Sequence, residues 1–172
     1  MGLVPQAGTI PTLVNVRPAV SSTDYLAARG LIREYAEWLD EDFCTHRFEE
    51  EMEGIEAMYG PPTGLLLLAF EGDKPAGCIG YRTLEPSVCE MKRLYVVPSF
   101  RGKGIGRELV LKLVEEASEA GFHEMRLDTI PKLATALALY RKLGFVEIPP
   151  YYHNPIPDVT FMSLDLTQRV GT

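Results

Sequence analysis

The sequence predicts an α/β (α+β) fold of about seven strands and about four helices. Three observations predict it. Apolar residues recur at helical spacing in a handful of segments. Aliphatic or alternating runs of strand length fill the intervals between those segments, and glycine and proline punctuate the boundaries. With 172 residues, 46% of them hydrophobic and 24% charged, the chain has the composition of one globular domain able to bury a core.

The elements follow in order. Met1 to Thr12 is rich in glycine and proline and reads as a flexible N-terminal arm, with one domain expected over 13–172. The arm lacks the basic start and long apolar run of a secretory signal. Leu13 to Arg17 is a short first strand. Ser21 and Ser22 are cap candidates for a helix over about Thr23 to Asp40, with Ala28, Ile32, Tyr35 and Leu39 on one stripe. Phe48, Met52, Ile55 and Tyr59 place a second helix over about Arg47 to Tyr59, stopped by Gly60-Pro61-Pro62. Leu65 to Phe70 and Ala76 to Leu84 flank Glu71-Gly72-Asp73-Lys74 as a hairpin, and the first of these runs is too short to span a bilayer. Val88 to Val97 is the next strand. A helix over Ile105 to Glu119 turns Leu109, Leu113 and Ala117 inward and stops before Gly121. Glu124 to Asp128 is a strand, Pro131 opens a helix that ends at Gly144, and Phe145 to Ile148 and Val159 to Leu166 complete the set.

Chemistry concentrates where a strand ends at Pro98 and gives way to Ser99-Phe100-Arg101-Gly102-Lys103-Gly104-Ile105-Gly106-Arg107 and a helix. The first amides of a helix lack intrahelical partners and its dipole favours an anion, so this order is a candidate pyrophosphate cradle. The glycines permit positive φ and close approach of backbone to a ligand. The spacing is neither that of a P-loop nor G-x-G-x-x-G. It fits [QR]-x-x-G-x-[GA] at Arg101, Gly104 and Gly106. A second element, Ala138-Leu139-Tyr140-Arg141-Lys142-Leu143-Gly144-Phe145, matches the pattern A-x-x-x-Y-x-x-x-G-F, with Tyr140, Gly144 and Phe145 in place.

These two motifs, in this order of elements, resemble the GCN5-related N-acetyltransferase (GNAT) superfamily over nearly the whole chain, from about Leu13 to Leu166. The resemblance implies a mixed, mostly antiparallel central sheet flanked by helices. It implies acetyl-CoA as co-substrate, held by the backbone of Leu94, Tyr95 and Val96 and by the loop Arg101, Gly102, Lys103, Gly104, Ile105, Gly106 and Arg107. It also implies Tyr140 as the general acid toward the leaving thiolate. The bare residues leave another reading open, since Tyr140 shares a helical face with Leu133, Leu137 and Leu143 as a core tyrosine would. Many members carry Asn seven residues before this tyrosine; here the position is Leu133.

An amine nucleophile must lose a proton before it attacks. Glu90, eleven residues before Arg101, holds the offset of the catalytic glutamate in the histone-acetylating branch of the family. Strand alternation puts it on a face with Lys92, Leu94 and Val96; burial raises its pKa and Lys92 lowers it. A solvent-facing strand glutamate is the plain alternative, and Asp128 is the second candidate base. The resemblance implies that the acceptor is bound by the loop between the first two helices, with Glu41 and His46, and by the final hairpin, with Tyr151 and Tyr152 offering ring faces to an ammonium; loops that merely pack on the sheet are the plain alternative.

Net charge is −7, which disfavours a nucleic-acid partner. Five basic residues (Lys92, Arg93, Arg101, Lys103, Arg107) surround the glycine loop, whereas ten acidic ones lie between Glu34 and Glu56. The first cluster suits a polyanionic co-substrate and the second a cationic acceptor, or merely a solvated helix face. Cys44, Cys78 and Cys89 form no CxxC pair and read as reduced thiols of a cytoplasmic protein; no metal site is expected. The expected function is acetyl transfer to a primary amine (a small amine, an amino acid, a peptide N-terminus or a lysine) by direct attack in a ternary complex. The alternative is a non-catalytic acyl-CoA-binding or sensing module. No membrane partner is expected, and homodimerisation is left open.

Overall fold

Seven strands pair in the order β1-β2-β3-β4-β5-β7-β6 in the computed structural model, which describes residues 13–40 and 45–168. They are β1 (Val14–Pro18), β2 (Gly64–Glu71), β3 (Lys74–Glu85), β4 (Val88–Val96), β5 (Glu124–Thr129), β6 (Val146–Ile148) and β7 (Thr160–Asp165). Every neighbouring pair is antiparallel except β4 and β5. The parallel pair needs a crossover, and helix α4 (Ile105–Glu119) supplies it. Helices α1 (Ser22–Leu39), α2 (Thr45–Glu53) and α3 (Ile55–Tyr59) pack on one face of the sheet, around Ile32, Met52, Ile55 and Tyr59. On the other face lie α4 and α5 (Ala134–Lys142), around Leu109, Leu113 and Tyr140.

Helix α1 starts as its serines predict. Ser21 accepts from the Asp24 amide at 3.1 Å while Asp24 returns a bond to the Ser21 amide, a reciprocal capping box. Arg17 closes on the same carboxylate at 2.9 and 3.0 Å, fixing β1 to the helix start.

Five α-helices stand among the described residues where about four were expected. The second predicted helix is two, because the chain breaks at Gly54, which has φ −97° and ψ 18°. Glycine is a weak helix former, and the break lets Met52 and Ile55 both reach the core at zero exposure. The last predicted helix opens as a 3-10 turn at Pro131–Leu133 before α5 begins. Gly144 follows α5 at φ 99°, and the Phe145 amide returns to the Tyr140 carbonyl at 3.0 Å, an αL termination.

The largest departure from the expected pattern is inside β4. Its pairing with β3 slips between Cys78↔Tyr95 and Gly80↔Lys92, and Arg93 adopts φ 63°. This bulge reverses the strand's facing. Glu90 stays with Lys92, but Leu94 and Val96 join Cys89 and Met91 on the α4 side, and Tyr95 packs on the α1 side. Simple alternation from Glu90 to Val96 therefore does not hold.

Candidate functional site

β4 and β5 pair only over Val88–Glu90 and Glu124–Arg126. Beyond these rungs they separate, and a cavity of about 690 Å³ opens between them, walled by Lys92, Arg93, Leu127, Asp128 and Tyr140 and covered by Tyr151 and Tyr152. The bulge lies in the stretch of β4 just beyond the last of these rungs. The side of β4 that faces β5 thus has no partner strand from Met91 onward, leaving an edge on which an extended ligand can add. Tyr95 sends its hydroxyl to Glu34 at 2.9 Å and stacks its ring 5.5 Å from Tyr35, so only its backbone is available there.

The loop before α4 takes the positive-φ backbone its glycines predict. Gly102 and Gly104 have φ 82° and 78°, and Gly104 ends the loop as the N-cap of α4 without any side-chain cap bond. Whereas Ser21 and Asp24 fill the start of α1, the amides of Ile105, Gly106 and Arg107 lead an uncapped helix. The first intrahelical bond there runs from the Glu108 amide to the Gly104 carbonyl at 3.1 Å. Ile105 anchors the turn in the core at 2% exposure. A Cβ on Gly106 would stand 3.7 Å from Val96 Cγ2 and 4.0 Å from Leu139 Cδ2, facing the groove between β4 and α5. A pyrophosphate fits this arrangement because it asks for bare amides at a helix start.

The basic residues do not act as one cluster. Arg101 donates from Nε to the Val96 carbonyl at 3.0 Å and lays its guanidinium over Trp38 and Tyr95, at 5.3 and 5.8 Å. Lys103 pairs with Glu71 at 2.8 Å, and Arg107 is exposed. Lys92 and Arg93 belong to the cavity wall, not to the loop. The acidic run is likewise divided. Glu34 binds Tyr95, Glu49 binds Arg33, and buried Glu51 takes both the Arg93 guanidinium, at 2.9 and 2.5 Å, and the Tyr59 hydroxyl, at 2.8 Å. Glu41 lies outside the described residues, as does the side chain of His46 near the start of α2.

Glu90 is 2% exposed and crowded by donors. Its Oε1 receives Arg82 Nε at 3.2 Å and Nη2 at 3.1 Å, with Lys92 Nζ at 3.4 Å; its Oε2 receives the Tyr151 hydroxyl at 2.7 Å. Burial works to raise its pKa, but the Lys92 charge, the Tyr151 bond and Arg82 outweigh it, so the carboxyl titrates below its ordinary value. Asp128 has no cation hydrogen-bonded to it among the described residues. It is held by two neutral donors, the Tyr152 hydroxyl and Asn154 Nδ2, the latter at 2.9 Å. Tyr140 is 6% exposed and lines the cavity; burial foremost, with nearby Tyr35 and Asp128, raises its phenol well above the ordinary range.

Arg82, Thr129 and Asn154 join this wall without having been singled out from the sequence. Arg82 stands directly across the β3–β4 ladder from Glu90, a pairing implicit in the hairpin register. Thr129 Oγ1 is buried with no hydrogen-bond partner among the described residues. Cys78 and Cys89 are unsuited to covalent catalysis, since both are buried and burial pushes both thiols up to about 12, while Cys44 lies outside the described residues. Among the described residues no group of three or more His, Cys, Asp or Glu could hold a metal ion, and no helix is long and apolar enough to cross a membrane.

Known proteins share this architecture. An uncharacterized N-acetyltransferase of Schizosaccharomyces pombe is 37% identical over 160 residues, covering 92% of this chain and 98% of its own. A GNAT-family acetyltransferase of Staphylococcus aureus Mu50 superposes with a TM-score of 0.75 at 22% identity, over 90% of this chain and 99% of that one. The PaiA N-acetyltransferase of Thermoplasma acidophilum, solved in complex with coenzyme A, superposes with a TM-score of 0.67 at 21% identity, over 89% and 99% of the two chains. Residues 31–145, from α1 through the end of the Tyr140 motif, match the Acetyltransferase (GNAT) family, and the chain therefore belongs to that family of acyltransferases.

Proposed function

We propose that this protein transfers an acetyl group from acetyl-CoA to a primary amine bound in the cavity, by direct attack without an acyl-enzyme. The observation that carries the reading is one strand joining a cavity to a cradle: Lys92, Arg93 and Leu94 of β4 line the cavity together with Tyr140 and Asp128, the β4 edge there has no partner strand, and the chain runs on from β4 to the uncapped N-terminus of α4. The coenzyme A bound by the PaiA enzyme supports the same choice of co-substrate.

The amides of Ile105, Gly106 and Arg107 hold the pyrophosphate, and Leu94 to Val96 present backbone groups to the pantetheine arm. Asp128, whose hydrogen-bond donors are neutral, takes one proton from the acceptor ammonium, while the crowded Glu90 orients Tyr151 and the wall around it. As the carbon–nitrogen bond forms and the carbon–sulfur bond breaks, the Tyr140 hydroxyl gives its proton to the sulfur. The second proton lost by the nitrogen restores Tyr140. Asp128 returns its own to solvent.

Thiol release from acetyl-CoA across an amine panel tests the reading, with co-substrate affinity measured by calorimetry alongside. Release that depends on an amine, with an N-acetylated product by mass, is the expected result. Tight acetyl-CoA binding with no release for any amine would instead identify a binding module.

A further inference from the structure

The ionised groups lining the cavity balance in number but not in position. Arg47, Arg82, Lys92 and Arg93 face Glu50, Glu51, Glu90 and Asp128. A lining with no net charge gives no general preference for a cation, contrary to what the acidic run alone suggests. Asp128, however, is the one carboxylate among these that stands on β5, with only neutral hydrogen-bond donors against it. All four cations stand on β3, β4 and α2. There Arg82 and Lys92 share a single carboxylate oxygen of Glu90, while Arg93 is matched by Glu51. Lys92 is half-buried and uses one of its three donors on Glu90, so it has capacity for another anion. Extending the parallel register past Glu90↔Arg126 sets Lys92 across the gap from Asp128. The two walls therefore carry opposite unbalanced charge on either side of one opening.

We propose that the acceptor is a zwitterion, an amine that also carries a carboxylate, bound with its amine toward Asp128 and its carboxylate toward Lys92 and Arg82. This rests on the reading of the cleft as an N-acetyltransferase site and narrows its substrate class. A neutral zwitterion matches the net charge of the lining, and its two ends match the segregation. A simple polyamine would leave the Lys92–Arg82 end facing a like charge.

The test uses the twenty L-amino acids, their amides and the corresponding decarboxylated amines, with two readouts: acetylation rate, and calorimetric binding to the CoA-saturated protein. The expected result is that at least one amino acid exceeds its amide and its decarboxylated amine by about tenfold or more in kcat/KM, as one charge-assisted contact allows. Lys92→Met should bring that amino acid down toward its amide, and Lys92→Arg should keep most of the gap; acetyl-CoA affinity of each variant verifies its fold. Equal or better turnover of the amides and decarboxylated amines overturns the zwitterion while leaving acetyl transfer intact. Amino acids that bind in preference to their amides but are never acetylated support the subsite and sink the transfer reading. No binding and no turnover by any member of the panel overturns both.

Discussion

Glu90 and Asp128 are carboxylates on adjacent strands of one cleft, and their partners separate their chemistry. A base must be able to gain a proton, and Glu90 is held as an anion by two cations and a phenol. The rate should rise with pH as the base deprotonates. Asp128→Asn should remove that limb, whereas Glu90→Gln should lower activity but keep it; pH–rate profiles of both variants with one working amine decide, and a limb lost only in Glu90→Gln would reverse the assignment. Tyr140→Phe retains the ring against Phe145 (5.6 Å between centroids) but removes the proton donor. Turnover should fall on the order of 10²–10⁴-fold with the melting temperature nearly unchanged. Unchanged turnover with lost stability would make Tyr140 a core residue only. Thr129→Val deletes the unpartnered hydroxyl and should hold or raise stability, by about 1 kcal/mol, while weakening ligand binding in the cleft. Tyr140 was legible because a motif surrounds it. The state of Glu90 was not, because Arg82 reaches it through a hairpin register and Tyr151 from sixty-one residues away.

The elements were read well where local chemistry decides them. The capping serine of α1, the start of α4 at Ile105 and the glycine stop after α5 all stand where the sequence puts them. The bulge at Arg93 escaped because β4 carries apolar residues on both faces, Met91 and Leu94 on one and Tyr95 on the other, so no alternation marks the slip. Its cause is tertiary: the Arg93 guanidinium must reach Glu51, forty-two residues away on α2, in a buried pair. Gly104 and Gly106 serve the α4 start in different ways. Gly104 meets the need for positive φ, and a side chain there strains the loop itself. Gly106 is helical, and a Cβ there finds ordinary contact distances within the protein. Gly106→Ala should thus keep or slightly raise the melting temperature, by up to about 1 kcal/mol of added stability, since alanine favours helix. It should nonetheless weaken CoA binding, because the methyl enters the groove between β4 and α5, beside the path proposed for the pantetheine arm. Calorimetry with CoA against a thermal melt separates the two effects; full CoA affinity in this variant would remove the groove from the co-substrate's route.

Across the whole molecule the net charge of −7 conceals carboxylates that work as structural anions. Asp24 lies far below the usual carboxylate range, chiefly through its Arg17 hydrogen bonds, with the Val20 and Ser21 amides adding to them. Glu51 and Glu90 are lowered despite burial, and Glu124 is lowered foremost by Arg126. Each has a folded pKa depressed relative to the unfolded chain, where Asp and Glu titrate near about 3.9 and about 4.3. The stability they contribute is then fully present above those values and is lost as pH falls through the folded ones. Denaturant unfolding followed from pH 7 downward should accordingly show little dependence from these groups above about pH 5 and a steep decline below about pH 4. Asp24 joins β1, the loop after it and the first turn of α1, so Asp24→Asn should lower stability at neutral pH, by about 1–2 kcal/mol for the lost cap and ion pair, and flatten the decline at acid pH. The two curves should draw together only well below about pH 3.9, as the native carboxyl becomes protonated at its depressed folded value. Parallel curves for the native protein and Asp24→Asn, separated by the same amount at every pH, would show that the contribution of Asp24 does not depend on its charge.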